Sequence, residues 1–215
     1  MRFGKRLALA MIRDAGEVPY VSQKSLKHIL VGLEKLCKSY LEQEVNILSC
    51  NMPEAELIVH ANTERSKYGL PEGESVLRED EVVGHDAKFF ELMDADVVAV
   101  RRYVEVCEAS LMESINEWLD EASKAGLVEC EGESVTRDIS KNDLSEDLKD
   151  FKEEIARIKQ YIDVNTTALR KLIARRNKNV HPRFWSRDTY DDLEHMKSDE
   201  TDNIERLVDS LTSEI

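Results

Sequence analysis

Glycine and proline are scarce in this 215-residue chain, eight and four respectively, and aromatic residues make up only 6% of it. So few breakers and large rings argue against a broad buried sheet and for thin amphipathic helices. No apolar run approaches the ~18 residues that a membrane span requires. Residues 1–13 also lack a long apolar stretch with a small-residue cleavage site, so a soluble, cytoplasmic protein without a membrane span is expected. The four cysteines, Cys37, Cys50, Cys107 and Cys130, form no C-x-x-C pair. Neither a zinc site nor a redox motif is indicated, and reduced structural thiols are expected.

Catalytic signatures are missing as well. There is no glycine-rich phosphate loop, no H-E-x-x-H or H-x-x-x-H, and no histidine within motif spacing of a cysteine or serine. His60, His85, His181 and His195 are far apart in sequence and read as ordinary surface residues. An enzyme is therefore disfavoured, and neither a metal nor a cofactor is implied.

What the chain has is helical periodicity. Met93, Val97, Val100, Val104, Cys107, Leu111, Ile115 and Trp118 advance in steps of four and three, which predicts a long helix over 86–123, stopped near Gly126. Leu148, Phe151, Ile155, Ile158, Ile162, Asn165, Leu169 and Leu172 extend a second stripe that starts at Leu144. Two such helices joined by 124–143 should pack antiparallel at a shallow angle. Asn165, on the apolar stripe, reads as a satisfied interior polar group that helps fix their register.

Towards the N-terminus, a helix over 2–13, a turn at 16–19 and a helix capped by Ser22 and running to about Asn46 form a hairpin. Pro53, Pro71 and three glycines suggest an acidic mobile loop over 51–85, with a short helix near 54–60. Residues 181–215 read as an acidic extension holding one more short helix. The expected fold is all-α: an elongated bundle of two long antiparallel core helices, an N-terminal helical hairpin and short C-terminal helices, in one domain over 1–180. The stripes are consumed inside the bundle, so a monomer is expected.

Charge is distributed unevenly. The chain carries 30 Lys+Arg against 44 Asp+Glu, a net charge of −14, which argues against direct nucleic-acid binding. Yet residues 1–13, 18–33 and 164–187 hold 4, 2 and 7 basic residues and no acid. If they meet in space they make a cationic surface on an anionic body. Lys171, Arg175 and Lys178 stand at i, i+4 and i+7, one helical face, where like charges repel by a few tenths of a kcal/mol per pair. An anionic partner that supplies the counter-charge is the expected reason, with a solvated helix end complementing the macrodipole as the plainer alternative.

Four blocks in order resemble a known family. Met1-Arg2-Phe3-Gly4-Lys5, Tyr20-Val21-Ser22-Gln23-Lys24-Ser25-Leu26-Lys27, Phe89-Phe90-Glu91-Leu92-Met93 and Asn165-Thr166-Thr167-Ala168-Leu169-Arg170-Lys171-Leu172-Ile173 look like the signatures of the SPX domain. That family begins M-K-F-G-K, continues Y-I-x-Y-x-x-L-K-K and F-F-x-x-L, and closes L-N-x-x-G-F-R-K-I-x-K-K-x-D-K. The resemblance covers about residues 1–180. It implies a phosphate-status sensor that binds inositol polyphosphates, above all inositol pyrophosphates, and regulates a fused effector domain or a protein partner without making or breaking a bond.

The same resemblance implies a ligand surface from the start of the chain, the second helix and the end of the fourth: Arg2, Gln23, Lys24, Lys27, His28, Lys171, Arg175 and Lys178. Lys27, Lys171, Arg175 and Lys178 match family ligand contacts. Three positions depart from the pattern. Gln23 replaces a phosphate-contacting tyrosine, His28 a lysine, and Ala174 the first lysine of the K-K pair. Gln23 can still donate through its amide and Arg175 can hold a phosphate bidentately. His28 could gain charge as a phosphate arrives, which would make binding pH-dependent, or be an ordinary exposed helix residue. Family members are fused to transporters, polyphosphate polymerases, phosphodiesterases or ubiquitin ligases, or stand nearly alone, and these 215 residues do not choose among them. The competing expectation is a helical scaffold or adaptor that binds a partner protein with no small ligand.

Overall fold

The computed structural model describes residues 18–48, 52–67, 76–124, 141–187 and 199–214. The elements are α1 (Gln23–Leu48), α2 (Glu54–Lys67), α3 (Glu79–Lys124), α4 (Lys141–Asn179), a single 3-10 turn (Pro182–Phe184) and α5 (Asp199–Glu214). The protein is all-α, with no strand among the described residues, and no helix there is long and apolar enough to cross a membrane. The expected 2–13 helix, the first half of the turn at 16–19, the Gly126 stop, Cys50, Cys130 and His195 lie outside the described residues.

The described chain divides into two compact units rather than one. The first comprises Met1–Tyr20, Val97–Thr166 and Glu194–Ile215; the second Val21–Asp96 and Thr167–Leu193. In the first unit, Val100, Val104, Cys107, Leu111, Ile115 and Trp118 of α3 are buried, as are Leu148, Phe151, Ile155 and Ile158 of α4. The two helices run antiparallel here. Tyr103 packs on Tyr161 at 4.9 Å, and further along α3 Cys107 shares a groove with the earlier residue Glu154 of α4. The groove, about 380 Å³, is also lined by Tyr20, and the Tyr161 hydroxyl donates to the Pro19 carbonyl.

Helix α5 belongs to this unit's core. It buries Ile204, Val208 and Leu211, its Thr201 hydroxyl donates to Glu108 of α3, and Lys159 of α4 meets Asp202 and Glu205 at 2.8 and 2.6 Å. Residues 181–187 belong to the second unit and α5 to the first.

In the second unit, Leu26, Leu30, Leu33 and Leu36 give α1 a fully buried stripe. Ser22 starts the helix differently from expectation. Its carbonyl accepts from Leu26, but its hydroxyl and backbone N–H donate to Asp96 of α3 at 3.0 and 2.7 Å. A carboxylate from another helix thus supplies the negative charge that favours a helix N-terminus, where α1 has no acid of its own in the first turn.

Residues 51–85 also depart from the loop expectation. Residues 54–67 form a 14-residue helix, and α3 begins at Glu79. Pro53 sits just before α2, its carbonyl accepting from Glu56 and Leu57, and Gly84 lies within α3 where an added Cβ would meet nothing within 4 Å. The anchor is Arg65, only 1% exposed. It donates to both Glu81 oxygens at 2.8 and 2.7 Å, to Asn62 and to the Val76 carbonyl. Gln43 of α1 completes the clamp by a reciprocal pair with the Leu77 backbone, 2.9 Å each way.

Candidate functional site

Arg65, Arg175, Arg176, Arg183 and Arg187 of the second unit are held by carboxylates. Arg176 is 1% exposed and donates to both oxygens of the fully buried Asp86 at 2.9 and 2.6 Å. Its guanidinium lies 4.4 Å from the Trp185 ring centroid and 4.9 Å from that of Phe90. Ser186 gives Asp86 two further hydrogen bonds, from its N–H and hydroxyl. Arg183 reaches Glu79 and Glu44, and Arg187 reaches Asp94. These bonds strap residues 180–187 across α1 and α3.

Arg175 is held the same way. Its Nε and NH2 donate to the two oxygens of Glu34 at 2.7 Å each, and Asn179 donates to Glu34 Oε1 at 2.8 Å. Burial alone would raise the Glu34 pKa, but the hydrogen bonds from Arg175 and Asn179 and the guanidinium charge outweigh it and hold the carboxyl below its ordinary range. Of the seven basic residues in the acid-free segment 164–187, Arg175, Arg176, Arg183 and Arg187 therefore receive a counter-charge from a sequentially distant acid. Of Lys171, Arg175 and Lys178, for which an external anion was expected, Arg175 thus has an internal counter-charge; the acids come from α1 and α3, too far along the chain for linear spacing to reveal them.

Lysines behave differently. Lys24 and Lys27 of α1 and Lys171 and Lys178 of α4 are exposed and make no ion pair among the described residues. Their placement follows from the Glu34–Arg175 pair. Helices α1 and α4 run in the same direction, because Tyr40 and Glu44, later in α1, meet Arg183 beyond the end of α4. Lys27 is seven residues before Glu34 and Lys171 four before Arg175, spacings that return to the same helical face. At 1.5 Å per residue Lys27 lies ~10 Å before Glu34 and Lys171 ~6 Å before Arg175, so the two stand within about one helical turn of a common level along the seam. Lys178, three residues past Arg175, continues the same face.

Gln23 and His28 are exposed on α1, and Ala174 is exposed on α4. Arg2 lies outside the described residues. Gln23, Lys24, Lys27, His28, Lys171, Arg175 and Lys178 thus all belong to one compact unit. His85, expected at the surface, is instead buried at 7%. Burial depresses its pKa, and the charges of Lys88 and His28 push the same way, against the opposing influence of the Ile29 backbone and the Asp86 carboxylate. Lys88 is a cation near His85 that sequence reasoning passed over, because it sits in the acidic stretch 76–96. Glu34 was passed over too, although it lies seven residues after Lys27, a same-face spacing that could have marked it.

A groove of about 640 Å³ adjoins this seam. Glu34 and Asn179 form one wall, and Cys37, Leu41, Val45 and His181 line the rest. Burial pushes the Cys37 thiol pKa up, partly offset by a hydrogen bond with the His181 backbone. Asn165, in the other unit, is 1% exposed and donates to the Tyr161 carbonyl of its own helix at 2.8 Å, so it is an interior, satisfied group. In comparisons with protein-family models, curated proteins and solved structures, the chain matches none.

Proposed function

We propose that the second unit is a polyanion-binding module that acts by holding its ligand. More specifically, we propose an SPX-like sensor that takes inositol polyphosphates or pyrophosphates and passes their presence to a fused domain or partner protein. The observation that carries this reading is the sorting of cations. The unit's arginines at 65, 175, 176, 183 and 187 are bound to carboxylates, whereas Lys24, Lys27, Lys171 and Lys178 stand exposed on two neighbouring helices with no ion pair among the described residues. A ligand with several phosphates on one rigid ring can meet several ammonium groups at once, and each close pair attracts by ~4 kcal/mol before desolvation at an effective dielectric near 20. The order of the four SPX-like blocks supports the particular ligand class.

The test is calorimetric titration of the full chain with inositol hexakisphosphate at two salt concentrations. Wild type should bind, more weakly at the higher salt. Combining Lys27→Ala, Lys171→Ala and Lys178→Ala should lower affinity at least tenfold. Undiminished binding by that variant would remove the assigned surface. The groove beside Glu34, with Val45 60% exposed at its edge, favours a second reading: an adaptor that seats a partner protein there. A wild type that ignores the phosphorylated ligand would turn the choice to that reading.

A further inference from the structure

Glu34 is an acid placed among the cations of this seam. It lies on the α1 face that carries Lys27, and it engages Arg175 between Lys171 and Lys178 with both oxygens, Asn179 adding a third hydrogen bond. The pair is not sealed in the core. Arg175 is 40% exposed and Glu34 18%, so the guanidinium can be approached from solvent while the Nε–Nη2 edge of its fork is taken. A fork already filled by a carboxylate offers little to a weakly charged anion.

We infer that Glu34 is a built-in competitor that sets the charge a ligand must carry to use this site. The inference rests on the polyanion reading above and deepens it. A densely phosphorylated ligand anchored on Lys27 and Lys171 brings a phosphate to Arg175 and displaces the carboxylate, and Arg175 then exchanges an intramolecular bidentate partner for a phosphate. Glu34 and Asn179, which also line the adjoining groove, are released at the same step. The anion site and the groove wall thereby share one side chain.

The experiment titrates inositol hexakisphosphate into the full-length wild type and the Glu34→Gln, Arg175→Gln and Glu34→Gln/Arg175→Gln variants, with Glu34→Ala as a second neutral replacement. Glu34→Gln keeps the shape and removes the charge, and should tighten binding five- to tenfold, about 1–1.4 kcal/mol. In the Arg175→Gln background the gain should fall below twofold, because the competitor has lost its target. Weaker or unchanged binding in both Glu34 variants would overturn the inference. So would a full gain that persists without Arg175, which would make Glu34 only a repulsive background charge. These failures leave wild-type binding intact, whereas a wild type that does not bind the ligand defeats the polyanion reading itself.

Discussion

The two units share helices yet are held together by different chemistry. Among their described residues the first unit carries 9 basic and 19 acidic side chains, the second 15 and 13. The first closes on aliphatic packing, with Lys152–Asp209 and Lys159 with Asp202 and Glu205 at the rim and one pair, Arg157–Glu154, whose acid is buried. The second uses planar guanidinium forks, two of them almost fully buried, to tie α2, the 180–187 segment and α4 to acids of α1 and α3. Arginine suits that inward task because its fork matches a carboxylate bidentately and it sheds water more readily than an ammonium. Lysine is left at the surface, where a strongly hydrated point charge is least costly. The separation teaches that a net charge near zero, as in the second unit, can still leave a cationic face when acids such as Glu34, Glu79, Glu81, Asp86 and Asp94 are committed to arginines.

The contrast is tested most severely at the buried pair. Arg176→Ala leaves Asp86 ionised without its guanidinium, which for a buried pair costs about 3–5 kcal/mol. Denaturant unfolding should show that loss, and hydrogen exchange should quicken most in the described parts of 21–96 and 167–187. A loss below about 1 kcal/mol would mean that the pair behaves like the rim pairs of the other unit. The companion is Lys159→Ala, expected to cost ~0–1 kcal/mol because both of its acids are solvent-accessible.

A mid-sized effect is expected where the first unit depends on packing. Ile204 of α5 is 1% exposed, and Ile204→Ala should cost about 2–4 kcal/mol through lost burial and a residual cavity. Amide exchange in 199–214 should rise with it. If Ile204→Ala were milder than Lys159→Ala, the division into an apolar unit and an ionic unit would be wrong.

Periodicity made the long helices legible because each keeps one apolar face for many turns. The expected 86–123 and 144–172 stripes fall inside α3 and α4, and the helix expected from Ser22 to Asn46 is α1. The short helix expected near 54–60 lies within α2, but its extension to Lys67 and the start of α3 over 79–85 were hidden for two reasons. Glycine and proline were weighed as breakers, although Gly84 faces open space and costs only about 1 kcal/mol in a helix interior. The interaction that fixes α2 is moreover a buried arginine, which a hydrophobic pattern scores as surface. Of the candidate site, what the structure shows is exposure: Lys24, Lys27, Lys171 and Lys178 are exposed. What linear reading missed was the pairing of Arg175 with Glu34 across 141 residues, and of Arg176 with Asp86 across 90. Tertiary counter-charges leave no trace in local spacing.

The smallest effect separates the units by pH, since their perturbed groups titrate at opposite ends of the scale. In the second unit burial lowers the His85 pKa, so the unfolded chain binds its proton first and stability declines as pH falls through about 6.5. Glu34 and Glu81 are held below the ordinary carboxylate range by their arginines, against burial; their contribution is present above that range and lost as pH drops through the folded values. In the first unit burial pushes the Cys107 thiol up to about 11 and raises the Tyr103 and Tyr161 hydroxyls above 10. A thiol or phenol raised on folding stabilises while protonated, so that contribution fades as pH climbs past the unfolded values of about 8.5 and 10. Cys37 places one such group in the second unit, against two tyrosines and a thiol in the first. Hydrogen exchange corrected for intrinsic rates should therefore show protection falling first in 21–48 and 76–96 at pH 5, and first in 97–124 and 145–166 at pH 10. Acid and alkali loosening the same residues to the same degree would erase the electrostatic distinction between the units.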